Sequence, residues 1–452
     1  MSVVALDIGT SRLKAIVARW DGTTLATGSV PTPAVADAPG RLELPADAVA
    51  DAAAGLVAGL LAGSSADPAD TLVLSCLGTA MAPFDRDERP LAPALSPADL
   101  RPGAVPGLLA ATGIDPAILF PLTGQDPRLT SFLHHWLWWR ATDPDRLRGL
   151  HRFRSLRGTI VARLTGADAE DPTWASRTMC MDLETDRWSS TILDAAGLDA
   201  SRLPGIHPPT SAWPVLPGAA AAFGLPPGAR VVLGAMDNCA AFLGAVAPGE
   251  ERLVNIAGTF EHLAGVGPLP VVRAAAGAVG GLIHRWVLPG TYLSYSRVPI
   301  GVLLGAIGSA APEGIGPLLA AADPVPVGRR IALDEPSVRA ALAAGTAQAD
   351  VLQAVLESGA AVLADYAAGW IGGGGAIDRI VIVGGGAAQP ATLRLKAAVL
   401  GRPVATLASD EAGSIGALRL AAIAVRGASL ADACALFPDP VAVTWSAAGP
   451  AA

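Results

Sequence analysis

Cysteine, histidine and long apolar runs are scarce in this chain of 452 residues, and each scarcity removes a class of function. The four cysteines (Cys76, Cys180, Cys239 and Cys434) lack the paired spacing of a disulfide framework or a zinc site, which suits a reducing cytoplasm. The six histidines form no HExxH or comparable pair, which argues against a dedicated transition-metal centre. Charged residues are 16% of the chain and sum to −8, with no basic run and no aromatic–basic interleaving. Nucleic acid is therefore not an expected partner. The longest uncharged stretches, 52–66 and 298–312, fall short of the roughly 20 apolar residues of a membrane span and are broken by proline or polar residues. The sequence opens on an apolar strand rather than on a charged and then apolar stretch, so a secretion leader is not expected. A cytoplasmic protein without a membrane partner is the expectation. Neither a Walker loop nor GxGxxG occurs, since Gln389 stands where a third glycine would follow Gly384 and Gly386.

What is present is a globular, enzyme-like composition: 51% hydrophobic residues tilted towards alanine, which argues against a disordered chain. The length exceeds what one core supports and predicts two domains. Pro248–Gly249 marks the expected boundary, giving domains at 1–247 and 248–452. Apolar periodicity predicts helices over 46–62, 349–368, 390–400 and 411–425 and strands over 71–76, 231–233, 252–256 and 379–383. Trp136, Trp138 and Trp139 crowd one helix, where packing is the expected role.

Three glycine-rich turns, each following a strand, make up the chemical pattern. The first is Asp7-Ile8-Gly9-Thr10-Ser11-Arg12-Leu13-Lys14. Its tight turn would present consecutive N–H groups and two hydroxyls, a nest for an anion such as phosphate. Asp7 is the kind of hard oxygen ligand that holds Mg²⁺ beside phosphates. Gly258-Thr259 repeats the strand–Gly-Thr–strand pattern, which suggests an ancient duplication, and Gly384-Gly385-Gly386 closes the set. Asp237 opens a helix after the strand around Val231–Leu233. It can cap that helix, and it can act as a general base for a hydroxyl attacking a phosphoryl group.

Taken in order, these segments resemble the FGGY family of carbohydrate kinases, in its xylulokinase- and glycerol kinase-like form, over nearly the whole chain. Asp7–Lys14 is similar to the family's first phosphate motif, with Arg12 where Ser or Asn is usual. Asp85–Leu91 with Pro93, Asp99 and Arg101 follows its stretch near the sugar pocket. Arg163–Gly166, Asp171 and Ala175–Thr178 match its strongly patterned middle. Gly234-Ala235-Met236-Asp237, with Gly244, resembles the motif whose aspartate is the catalytic base, and Gly258-Thr259 the second phosphate motif. Gly384–Ala387 with Pro390 and Gly401–Val404 is similar to the adenosine motif, followed by Glu411–Gly413 and Gly416-Ala417.

The resemblance implies an α/β protein of two actin-like (ribonuclease H-like) domains with mixed sheets, closing on an ATP cleft. It implies ATP and Mg²⁺ as cofactors, with Asp7 on the metal. Gly9, Thr10, Ser11, Lys14, Gly258 and Thr259 would surround the phosphates, and Gly301, Gly385, Gly386 and Ala387 the nucleoside. Asp237 would deprotonate a hydroxyl of a small sugar or polyol. Gly78, Thr79, Trp174 and Asn238 occupy acceptor-side positions, where Gly78-Thr79 replaces the polar pairs of relatives and Trp174 a smaller residue. Trp174 is counted with the substrate-binding positions, where it could narrow the pocket, stack on the acceptor or serve packing alone, the favoured reading. Glu261 and His262 could reach the cleft or face solvent, and solvent is the expectation. A homodimer is compatible with this class. The chain is also shorter than many relatives, which suggests trimmed insertions. Two competing readings are a degenerate member that binds nucleotide or sugar without transfer, and an actin-like ATPase.

Overall fold

Val3, Val4, Ala5 and Leu6 are apolar at both parities, the pattern of a strand covered on both faces. In the computed structural model, which describes residues 1–63, 67–409 and 411–450, they lie in β1 (Ser2–Ile8). Residues 64–66, the end of the uncharged run at 52–66, are outside the described residues. β1 pairs antiparallel with β2 (Arg12–Arg19), and β2 with β3 (Thr24–Pro31). The helix α1 (Ala46–Ala62) then leads to β4 (Ala69–Cys76), parallel to β1. β5 (Ala212–Pro214) and β6 (Arg230–Met236) complete the sheet, β6 parallel to β4 and β5 antiparallel to β6.

Both faces of this sheet are covered, as parallel neighbours joined by helical crossovers require. Val4, Leu6, Ile8 and Leu74 pack with Val49, Ala53 and Val57 of α1 and with Ile160, Val161 and Leu164 of the helix Leu156–Thr165. The opposite parity, Val3, Ala5, Val73 and Val232, packs with Leu418, Ala421 and Ala422 of the helix Ala412–Arg426. Each fully buried Leu, Ile or Val contributes roughly 1.5–3 kcal/mol over its exposed state. Several aligned along both faces therefore fix which residues point up and which down. Trp136 and Trp139 are buried around Phe153, the packing role expected of them.

The chain divides into two compact units. One comprises Met1–Gly244, His284–Pro289 and Gly413–Pro438; the other comprises Ala245–Ile283, Gly290–Ala412 and Asp439–Ala452. Two segments beyond residue 248 thus fold with the first unit. In the case of 413–438 the cause is the apolar cluster just described.

α2 (Asp237–Ala245) follows β6 in the first unit. The second unit begins with β7 (Arg252–Ala257) and β8 (Glu261–Gly267), an antiparallel hairpin extended by β9 (Tyr292–Tyr295). α3 (Ile300–Ala310) and α4 (Gln348–Gly372) precede β10 (Arg379–Val383), parallel to β7. α5 (Pro390–Leu400) leads to β11 (Val404–Leu407), parallel to β10, and β12 (Val441–Ser446) closes antiparallel on β11. Read from β3 in the first sheet and β9 in the second, the pairings are identical: antiparallel, antiparallel, parallel, parallel, antiparallel. The repeated Gly-Thr hairpin in the sequence is therefore the trace of a repeated fold. α4 has the length and composition of a membrane span, but Val355, Leu363, Tyr366 and Trp370 are buried in the second unit, as in a core helix. All four cysteines are buried and free.

Candidate active site

Parallel strands end on the same side of a sheet, and the register makes the ends of β1, β4 and β6 level. Ile8 lies beside Cys76, and Cys76 beside Met236. The residues that follow, Gly9 to Ser11, Leu77 to Thr79, and Asp237, therefore emerge together. Asp7 pairs across the hairpin with Lys14, which brings the acidic residue and one of the two basic residues of the first motif side by side. Arg12, unusual in that motif, turns its guanidinium towards Ser29 Oγ at 3.1 and 2.6 Å.

A bulge aims the third strand end. The pairing of β6 with β4 shifts between Val232 and Ala235, and Gly234 sits there at φ +80°. A Cβ at that position would lie 1.6 Å from the Leu74 carbonyl oxygen. Glycine is the residue that tolerates both the angle and the approach.

Asp237 is partly exposed and accepts the Asn238 N–H at 2.7 Å. Burial, and then the nearby Asp7 carboxylate, push its carboxyl up to about 7, against the Asn238 hydrogen bond and the Arg177 guanidinium, which pull it down. A carboxylate poised near neutral pH is matched to taking a proton from a hydroxyl. Arg177 is a neighbour that sequence reasoning did not single out. It was legible only as the one cation within the Ala175–Thr178 motif. Its guanidinium is 3.3 Å from Gln125 Oε1 and from the Thr130 carbonyl oxygen.

The residues expected on the acceptor side divide. Asn238 is partly exposed beside Asp237. Gly78 has no room for a side chain, because a Cβ would meet Arg177 Cγ at 2.9 Å and Met236 Sδ at 3.1 Å. The polar pair of relatives is thus replaced by backbone with the Arg177 stem against it. Thr79 is fully buried at φ +69°, a strained angle for a β-branched residue, and its Oγ1 has no hydrogen-bond partner among the described residues. Trp174 is fully buried and donates its indole N–H to the Leu77 carbonyl at 2.8 Å. It supports the Gly78–Thr79 backbone from behind, the packing alternative rather than a surface open to an acceptor. Arg101 pairs with both Asp99 and Glu43, an internal ion cluster.

Behind Asp237 runs a buried relay. Arg157 pairs with both Glu170 and Asp171, all three inaccessible to solvent. Asp171 accepts the Thr173 N–H at 2.8 Å, and Thr173 Oγ1 accepts the N–H of Met236, next to Asp237, at 2.8 Å. Thr173→Val is therefore expected to leave a buried N–H unpaired, costing roughly 1–3 kcal/mol, and to lower kcat more than it raises KM. Urea midpoints and steady-state kinetics check this; an unchanged midpoint with unchanged kcat contradicts it.

In the second unit, β7 and β10 also end level, with Ile256 beside Val383. Gly258-Thr259 and Gly385-Gly386 then open onto one cavity of about 330 Å³. Ile300, Leu304, Leu319 and Leu356 give it an apolar wall, and Gly301, Gln389 and Thr392 also line it. Gly301 is required by close approach, since a Cβ would fall 2.7 Å from both the Gly258 oxygen and Thr259 Cα. Ala387 does not line the cavity; its N–H closes the turn on the Gly384 carbonyl at 2.9 Å.

Of the two placements open to Glu261 and His262, the favoured solvent-facing one is overturned for Glu261. Glu261 is 5% exposed and ion-paired with Lys396 of α5, both lining the cavity. His262 is partly buried, its Nδ1 2.8 Å from the Ser296 carbonyl oxygen and its ring edge-on to Tyr295. A carboxylate can leave solvent when a cation neutralises it, and the cation comes from a residue 135 positions along the chain. Lys396 was missed, although composition carried a signal: of 32 basic residues only Lys14 and Lys396 are lysines.

Among the described residues no group of three or more His, Cys, Asp or Glu is placed to hold a metal ion. A cation beside Asp7 would complete its shell with phosphate oxygens and water, a donor set that fits Mg²⁺.

Comparison with known proteins agrees with this arrangement. The family model described as the FGGY family of carbohydrate kinases, N-terminal domain, matches residues 2–244, and the corresponding C-terminal domain model matches 320–425. The fold is shared with xylulose kinase from Rhodospirillum rubrum, at 22% identity, TM-score 0.83, and coverage of 99% of this chain and 94% of that one. Gluconate kinase from Lactobacillus acidophilus is similar at 17% identity, TM-score 0.83, and the same 99% and 94% coverage. Plasmodium falciparum glycerol kinase with ADP is similar at 15% identity, TM-score 0.79, with 97% and 93% covered. The paired level strand ends, the repeated actin-like sheets and the two domain matches place the chain in the FGGY family of carbohydrate kinases, the sugar and polyol phosphotransferases.

Proposed function

We propose that this protein transfers the γ-phosphoryl group of ATP to a hydroxyl of a small sugar or polyol, with Asp237 as general base. The acceptor oxygen forms its bond to the γ-phosphorus, the bond from that phosphorus to the β,γ-bridging oxygen breaks, ADP leaves, and the hydroxyl proton passes to an Asp237 carboxylate oxygen. The observation that carries this reading is an aspartate held near neutral pKa at the level ends of three strands, next to Asp7. Phosphoryl transfer asks a protein mainly for positioning and charge neutralisation, so one base and a few donors suffice.

The roles divide by unit. In the first, Asp7 would hold Mg²⁺, which neutralises phosphate charge when bound, while Gly9, Thr10, Ser11 and Lys14 supply N–H, hydroxyl and ammonium groups to phosphate oxygens. Asn238 and the Gly78–Thr79 backbone would face the acceptor. In the second, Gly258 and Thr259 would take phosphate, and Gly301, Gly385 and Gly386 would flank the nucleoside, with Ala387 holding the Gly384 turn rather than touching it. Trp174 is assigned a supporting rather than a contacting role, because it is fully buried. Domains at 1–247 and 248–452, apart from the segments 284–289 and 413–438 that fold with the first unit, and a cytoplasmic setting complete the proposal. The degenerate, non-transferring reading is not favoured, because Asp7 and Asp237 are both retained and electrostatically coupled.

Measured ADP release over a panel of ketoses, aldoses and polyols tests the reading. One or a few acceptors are expected to raise turnover well above slow ATP hydrolysis. A panel in which none does so overturns it.

A further inference from the structure

The Glu261–Lys396 pair is an unusual floor for a pocket. Both side chains are more than nine-tenths buried, yet both line the 330 Å³ cavity of the second unit. Burying two charges is costly, and a well-packed apolar pair of similar volume commonly serves stability as well or better. Geometry holds the pair open to one side. Lys396 Nζ has three donors; one meets Glu261 and one meets Asn255 Oδ1 at 3.0 Å. Asn255 is itself fixed, its Nδ2 donating to the His262 carbonyl at 3.1 Å. Among the described residues the third ammonium donor has no partner, and neither does Glu261 Oε2.

One donor and one acceptor thus stand together in the wall. The pair is neutral overall, so it offers a phosphate no net attraction, and its carboxylate disfavours a phosphate oxygen beside it. The phosphate chain is accordingly placed towards Gly258-Thr259 and another part of the nucleotide against the pair. A chain that uses lysine at only two of 32 basic positions places one in this wall, a compact point charge rather than a planar fork.

We propose that Glu261 and Lys396 select the phosphoryl donor by reading an adjacent hydrogen-bond donor and acceptor on its nucleoside. This rests on the nucleotide reading given above and deepens it. Two parts of adenosine carry that chemistry: the 6-amino group with a neighbouring ring nitrogen, and the vicinal ribose hydroxyls. In each, Glu261 Oε2 accepts the N–H or O–H and the Lys396 ammonium donates to the lone pair beside it. A buried polar pair left without its complement is penalised, so an analogue lacking one partner is rejected.

Calorimetric titration with ADP, inosine 5′-diphosphate and 2′-deoxy-ADP in the presence of Mg²⁺ reads this without requiring turnover. Losing one charge-assisted hydrogen bond corresponds to a tenfold or greater weakening, so at least one analogue is expected to bind the wild-type protein roughly tenfold more weakly than ADP. Weaker inosine diphosphate assigns the pair to the base, and weaker 2′-deoxy-ADP assigns it to the ribose. In the double variant Glu261→Gln/Lys396→Met, which leaves no lone buried charge, that preference is expected to fall to about threefold or less, the size of a residual contact. The single variant Glu261→Gln, closer in shape, should show the same narrowing if the double variant is unstable. Equal binding of all three nucleotides by the wild-type protein, or a preference that survives in a folded variant, overturns the inference alone. Failure of ADP itself to bind overturns the nucleotide reading and the inference with it.

Discussion

Asp237→Asn is expected to abolish most of the transfer activity while leaving the fold intact. General-base catalysis contributes on the order of 10²–10⁴-fold, so kcat for the best acceptor should fall by about that factor, with KM for ATP little changed. The amide keeps the size of the carboxyl and can still accept the Asn238 N–H through its carbonyl oxygen. What it loses is the capacity to take a proton.

The wild-type pH profile is a second readout of the same group. Burial and Asp7 hold the Asp237 carboxyl at about 7, so activity should rise as pH increases through about 7 and be lost below it. The stability linkage has the opposite sign. Because the folded-state value lies above the ordinary aspartate value of 3.8, the folded protein binds this proton more tightly than the unfolded chain does. The contribution of the group to stability is present below about 3.8 and declines as pH rises through about 7. The asparagine variant should therefore melt at or above the wild-type temperature at pH 8. A variant that keeps the wild-type rate removes Asp237 as the base, and a fully active variant with an unshifted profile leaves no catalytic role for it.

Gly234→Ala is expected to be the most damaging single methyl group that can be added near the site. A Cβ there would stand 1.6 Å from the Leu74 carbonyl oxygen, and the residue would keep φ +80°. Neither neighbour is a flexible side-chain tip that can move aside; both conflicts are with backbone in the centre of a buried sheet. Strain at a forbidden φ costs about 1–3 kcal/mol, and relieving the clash means breaking ladder bonds between β6 and β4. The combined loss should reach several kcal/mol, a large share of the 5–15 kcal/mol that holds a domain together. Soluble yield and the urea midpoint measure it. Gly55→Ala, in an exposed stretch of α1 with nothing within 4 Å of the added atom, is the control. That change should be neutral or stabilising by up to roughly 1 kcal/mol, since alanine is the better helix former. A soluble Gly234→Ala protein with a wild-type midpoint would sink the account of the bulge.

Much of the architecture was legible along the chain because the relevant forces act locally. Helix 46–62 and strand 379–383 followed from periodicity and appear with those bounds. The opening hairpin followed from apolar strands around Gly9, and its echo at Gly258-Thr259 marked the second copy of the same sheet plan. Asp7 and Asp237 could be named because strand-end acidic residues beside small-residue turns are a local pattern. Their mutual effect could not be read, because it depends on the register that sets Ile8, Cys76 and Met236 side by side.

The misreading of Glu261 has the same origin. On its own strand it is a charged residue after a turn, and such residues usually face water. Only the packing of α5 across the sheet brings Lys396, itself bonded to Asn255 of β7, to Glu261 and makes its burial tolerable. Gly78 is a similar case, since what fills the place of a missing side chain is the stem of Arg177 from a separate motif.

The sequence by itself determined the class: two repeats of one sheet plan, glycine turns after strands, and an aspartate opening a helix after a strand, because these depend on side-chain period and backbone freedom over a few residues. The tertiary structure alone decided the electrostatics and the fit: an Asp237 pKa near 7, a buried ion pair in the wall of the second cavity, and a Gly78 without room for a side chain. Those properties belong to atoms that strand register and helix packing bring within a few ångströms, and distance along the chain says nothing about them.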